Sequence, residues 1–188
     1  MPLTKVQSDL IEATGTPSGT TFLRGDGSWA GTITSGTAVT ASGTAVNFTD
    51  IPAGVKRITV MFSGVSTNGT STWLVQIGAT SFSVTGYLAQ SSYAGGTNSA
   101  GGVSSTAGYP IFSGNAANLF YGHMVLTNIT SNTWVSSHSL GLNSSGTIYA
   151  VAGGGVSPNL SAALDRLRIT TVNGTDAFDS GTINIMYE

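Results

Sequence analysis

The sequence predicts an all-β fold, a jelly-roll-like β-sandwich carried behind an extended N-terminal arm. Three observations lead there. Short runs of β-branched and aromatic residues alternate with polar ones at a period of two. Turn dipeptides such as Asn68-Gly69 and Asn173-Gly174 separate those runs. Glycine (26), serine (25), threonine (27) and asparagine (11) fill almost half of the 188 positions, yet 40% of residues are hydrophobic, enough for a packed core.

Residues 1–42 hold few core formers and several turn signals, and read as an arm with short strands. Residues 43–188 form the sandwich domain, with about nine strands. The first is 45–49. After the Ile51-Pro52-Ala53-Gly54 turn, Ile58, Val60 and Phe62 alternate with polar neighbours. Trp73, Val75 and Ile77 then alternate with Thr72, Leu74 and Gln76, and a strand over 81–88 follows. Residues 118–128 are apolar on both faces, with Phe120, Met124 and Leu126 on one and Tyr121 and Val125 on the other. An outer sandwich strand has one polar face, so the second apolar face asks for a partner chain. Residues 133–142 place Trp134, His138, Leu140 and Leu142 together, and 147–152 follow. Leu167 and Ile169 point inward from 166–172, and Ile183, Ile185 and Tyr187 close the fold. Residues 159–166 have room for one helical turn. The Gly/Ser/Ala-rich segment 90–115 breaks the rhythm and reads as a long irregular loop.

Charge is scarce. Only 7% of residues are charged, and between Arg57 and Asp165 lie 107 residues without Lys, Arg, Asp or Glu. The net charge of −2 supplies no basic footprint for nucleic acid. No apolar run is long enough for a membrane-spanning helix, and the N-terminus lacks the apolar centre of a secretion signal. There is no cysteine, hence no disulfide or thiolate metal site. His123 and His138 belong to no paired-histidine spacing and read as satisfied or surface residues. Asp176 and Asp179 are too few for calcium and read as a solvated turn. Glycan-cleaving enzymes need paired carboxylates, which the central stretch lacks, and no nucleophile-elbow pattern is present. The expectation is a non-enzyme without metal or cofactor.

Thr16–Ala30, TPSGTTFLRGDGSWA, is the most specific segment. It resembles the sequence preceding the C-terminal domains of tailed-bacteriophage fibre proteins, G-T-P-S-x-x-x-[FY]-L-R-G-D-G-[ST]-W. Residues 51–60, IPAGVKRITV, resemble the first core strand of such domains, and 181–188, GTINIMYE, their final strand. Residues 78–164 carry no family signature. The resemblance implies a parallel homotrimer in a virion, made in the host cytoplasm, with the arm contacting other virion proteins and the tip a bacterial surface glycan or protein. A structural capsid-surface role, as a head fibre or decoration protein, stands as the alternative. Full fibres also carry an anchoring domain and a shaft, for which 188 residues leave no room. A fragment, a short separate fibre or tip, or a capsid-surface protein would each account for this.

Within the motif, Arg24-Gly25-Asp26 reads as turn and pairing chemistry, not as an integrin signal. Phe22, Leu23 and Trp29 read as arm-packing or inter-chain anchors, joined at the oligomer contact by Tyr121 and Val125. Tyr87, Tyr93 and Tyr109, in or beside the irregular segment, are the candidate receptor contacts. A ring surrounded by hydroxyls and amides suits a sugar, whose CH face stacks while its hydroxyls hydrogen-bond.

Overall fold

The computed structural model describes residue 15 and residues 21–23, 25, 27–31, 33–95 and 99–188. The chain divides into two compact units, Met1–Thr34 with Glu188, and Ser35–Tyr187. Among the described residues every regular element is a strand.

In the first unit, β1 (Thr21–Leu23) pairs antiparallel with β2 (Trp29–Gly31), setting Leu23 opposite Trp29. Gly27 takes a positive φ in the connection. Phe22 and Leu23 are exposed and Trp29 is half-buried. Arg24 and Asp26 lie outside the described residues. The short β3 (Thr34–Ser35) stands at the boundary between the units.

The second unit is a sandwich of two antiparallel sheets. Its strands are β4 (Val39–Thr40), β5 (Ala45–Phe48), β6 (Arg57–Thr67), β7 (Trp73–Ala79), β8 (Ser81–Phe82), β9 (Leu88–Gly95), β10 (Ser99–Ser105), β11 (Tyr109–Ile111), β12 (Leu119–Thr130), β13 (Thr133–Ser144), β14 (Thr147–Val156), β15 (Arg166–Thr171) and β16 (Phe178–Tyr187). The larger sheet runs β10-β9-β14-β13-β12-β6-β16, with β4 on β16. The smaller runs β11-β7-β15-β5, with β8 on β7. Successive strands repeatedly change sheet, as in a jelly roll, interrupted by the β9–β10 hairpin and the β12–β13–β14 meander. Residues 35–42, expected in the arm, run beside β16, with Gly36 N–H donating to Ile185 O at 2.8 Å and Ala41 N–H to Gly181 O at 2.9 Å.

The inward residues follow the period-two reading. Ile58, Val60 and Phe62 of β6, Leu167 and Ile169 of β15, and Ile183 and Ile185 of β16 are all buried. Trp73 joins the sheets. Its ring centroid lies 4.5 Å from that of Phe120, 5.3 Å from Phe178 and 6.4 Å from Phe62, all on the opposite sheet. Its Nε1–H donates to Thr67 Oγ1 at 3.3 Å.

Two expectations about burial exchange places. β7 is buried along its whole length, although Leu74 and Gln76 alternate with the core residues. Gln76 Nε2–H donates to Ala107 O, and Arg168 Nε–H donates to Gln76 Oε1 while its guanidinium lies 4.6 Å from the Phe82 ring centroid. The segment before β11, together with β8 and β15, therefore covers the outer face of β7. On β12, Phe120, Met124 and Leu126 are buried, but Tyr121 is 46% exposed, Val125 half-buried and His123 exposed.

The irregular loop expected over 90–115 is mostly β9, β10 and β11. Backbone pairing makes these strands, and two of the glycines sit where an added side chain would meet a neighbouring residue. A Cβ at Gly101 would lie 2.6 Å from Cε1 of Tyr93, and one at Gly155 would collide with Ala89. Conversely, 81–88 holds only the two-residue β8 before β9 begins, and of 159–166, read as room for a helical turn, 159–165 is bend and irregular backbone and Arg166 opens β15.

Two substitutions test this packing by chemical denaturation. Trp73→Ala is expected to lower unfolding free energy by about 3–5 kcal/mol, through a large cavity between the sheets. Gly155→Ala is expected to cost about 1–3 kcal/mol, because β9 must move off β14.

Candidate functional site

Beyond Ile111 the smaller sheet stops, and the segment Phe112–Asn118 covers the inner face of β9, β13 and β14. A cavity of about 280 Å³ forms there, lined by Tyr93, Ser99, Phe112, Ser113, Gly114, Asn115, Asn118, Leu142, Ser144 and Tyr149. Pairing of β9 with β14 sets Tyr149 opposite Gly95 and Val151 opposite Tyr93, so the two tyrosines are diagonal neighbours on one face. Their ring centroids lie 6.0 Å apart, edge to face. On its other side Tyr93 stacks with Phe112 at 4.4 Å and 27° between planes. Gly95 lies against Tyr149 and Gly101 against Tyr93, and at either position a Cβ would clash with the ring.

The covering segment is pinned from several sides. Asn118 is buried and donates from Nδ2 to Ser113 O at 2.8 Å, while Ala117 N–H donates to Thr67 O at 3.0 Å. Phe112 N–H donates to Ser91 Oγ at 3.2 Å, and Ser91 Oγ is hydrogen-bonded to His138 Nε2 at 3.0 Å. Ser113 Oγ and His138 Nδ1 are buried without a partner. Burial, with no opposing carboxylate, pushes His138 down to about 4. His138 is thus a core residue that holds Phe112 through Ser91. Ser91 is itself fully buried, so the pair presents no accessible nucleophile.

Among the described residues that line it, none carries a formal charge. Two stacked or edge-on aromatic pairs form one wall, and amides and hydroxyls form the rest. Such a surface can hold a small neutral molecule by ring contact and hydrogen bonds.

Of the three tyrosines expected at the surface, only Tyr93 lines this cavity. Tyr87 and Tyr109 are corrected to core residues, 0% and 1% exposed. Their rings pack edge to face at 5.1 Å. Tyr87 Oη accepts from Ile77 N–H at 3.0 Å, and Tyr109 Oη donates to Trp134 O at 2.7 Å. Burial raises both, Tyr87 to about 12. Tyr149, Asn115 and Asn118 were not singled out by the sequence reading, because Tyr149 is brought beside Tyr93 only by the β9–β14 pairing. Asp176, read as a solvated turn, accepts from Asn173 Nδ2–H and from Ser71 N–H, and these bonds hold its carboxyl below the usual range. Among the described residues no cluster of His, Asp or Glu could hold a metal ion.

Acid should act through His138. An unfolded histidine titrates near 6.5, so between about 6.5 and about 4 the unfolded chain binds a proton that the folded chain does not. Stability is expected to be full above about pH 6.5, to fall by about 3 kcal/mol as pH drops, and to level off below about pH 4 as far as this group is concerned. Urea unfolding across that range checks this, and His138→Gln should remove that part of the slope. Compared with known proteins, the chain matches no family model, no curated protein and no solved structure.

Proposed function

We propose that this chain is a trimeric virion fibre or tip protein of a tailed bacteriophage, adsorbing to a glycan on the bacterial surface. The virion part of the reading is supported by the Thr16–Trp29 motif ahead of a β-sandwich domain. The observation that carries the glycan part is the uncharged pocket of Tyr93, Phe112 and Tyr149 with Asn115 and Asn118. Aromatic faces accept the CH face of a sugar ring, and side-chain amides both donate to and accept from its hydroxyls.

Trimerisation is supported by β12. Among the described residues Tyr121 is left 46% exposed and Val125 half-buried, on the face of β12 turned away from the core. Three weak sites on one particle would raise avidity without raising single-site affinity. With no charge in the pocket, binding is set by contact area and hydrogen bonds, and depends little on salt.

Light scattering of the purified chain is expected to give three times its 19.0 kDa mass. A stable monomer would remove the trimer. Labelled protein is expected to bind intact cells of some strains in a bacterial panel, and to lose at least about tenfold in affinity on Tyr149→Ala, a change of about 1.4 kcal/mol. Labelling of virions at capsid three-fold positions, with none at the tail, would replace adsorption by a structural role.

A further inference from the structure

We infer that the pocket takes one uncharged pyranose unit, and that it discriminates against acidic sugars. This rests on the glycan reading and names the class of sugar. At about 280 Å³ the cavity lies at the lower edge of ordinary ligand pockets, the size of a single ring and not of an extended chain. Tyr93 is fixed between Phe112 and Tyr149, so that wall is set before a ligand arrives. Preorganisation of this kind reduces the ordering cost of binding.

Discrimination follows from the charge-free stretch. Every lining residue falls between Arg57 and Asp165, where the chain has no Lys or Arg. A uronate or sialate carboxylate entering the cavity would lose water and meet no cation. A neutral ring loses only hydroxyl hydration, which Asn115, Asn118 and Ser144 can replace. Ser113 adds a further group: its buried hydroxyl has no partner, so turning its side chain toward a ligand breaks no hydrogen bond within the protein.

Saturation-transfer NMR on the full 188-residue chain tests this, with methyl glycosides of glucose, galactose, mannose and their N-acetylamino forms against methyl glucuronide, methyl galacturonide and methyl sialoside. Millimolar binding of at least one neutral glycoside is expected, with every acidic one at least about tenfold weaker. Tyr149→Ala should abolish it. Asn115 is exposed, so Asn115→Ala should weaken binding several-fold with unchanged unfolding. Ser113→Ala should weaken binding while leaving the unfolding midpoint unchanged or higher. Preferential binding of an acidic glycoside, or neutral binding that survives both Tyr149→Ala and Asn115→Ala, overturns the inference.

Periodate oxidation of a binding strain separates the two readings. If oxidation abolishes cell binding but no monosaccharide binds, the glycan reading stands and the single-ring pocket falls. If cell binding survives oxidation, the glycan reading falls.

Discussion

The sandwich depends on the contact that Trp73 makes across it. A strand of the smaller sheet supplies one large ring, and three strands of the larger sheet supply Phe62, Phe120 and Phe178 around it. In a chain where glycine, serine, threonine and asparagine fill almost half the positions, few side chains have the volume to hold two sheets apart at packing distance. The aromatic cluster provides that volume at one end. Tyr87 and Tyr109 provide it near the other, each with its hydroxyl bonded to backbone. Between them the sheets are held mainly by β-branched and leucine side chains, and the hydroxyl residues that are buried, such as Thr67 and Ser91, have hydrogen-bond partners in Trp73 and His138.

That division explains what was legible in the sequence. The inward positions of β6, β15 and β16 stand out because large apolar residues recur at every second place between polar ones. β9 and β10 did not stand out, because their strand character comes from backbone pairing and from close approach to β14, where side-chain bulk is a hindrance. A propensity argument sees glycine and serine there and returns a loop. β7 and β12 show a second limit. Which face of an apolar strand is covered depends on where distant segments fall. The stretch before β11 lies over Gln76, while among the described residues Tyr121 is left 46% exposed.

The candidate site was legible only in its chemistry. Aromatic residues among hydroxyls and amides, far from any charge, suggested neutral contact, and Tyr93 remains within it. Its partners come from β14 and from the segment joining β11 to β12, 19 and 56 residues away in the case of Phe112 and Tyr149. No local pattern connects positions so far apart. The sandwich makes the site where its smaller sheet ends, and the Phe112–Asn118 segment roofs the exposed remainder of the larger one. Binding chemistry and core chemistry share a boundary here, since the same Phe112 that walls the cavity is tied by its backbone to Ser91 and through it to buried His138.

The charge-free stretch has a consequence for survival among proteases. Trypsin cuts after Lys and Arg, and this chain has only Lys5, Arg24, Lys56, Arg57, Arg166 and Arg168 to offer. Everything from β7 to β14 lies inside the single fragment that begins at Ile58 and ends at Arg166, with the cavity in its interior. Even fully unfolded, that region presents trypsin with no internal bond to cleave, so its resistance to that enzyme is written in composition and does not depend on the fold.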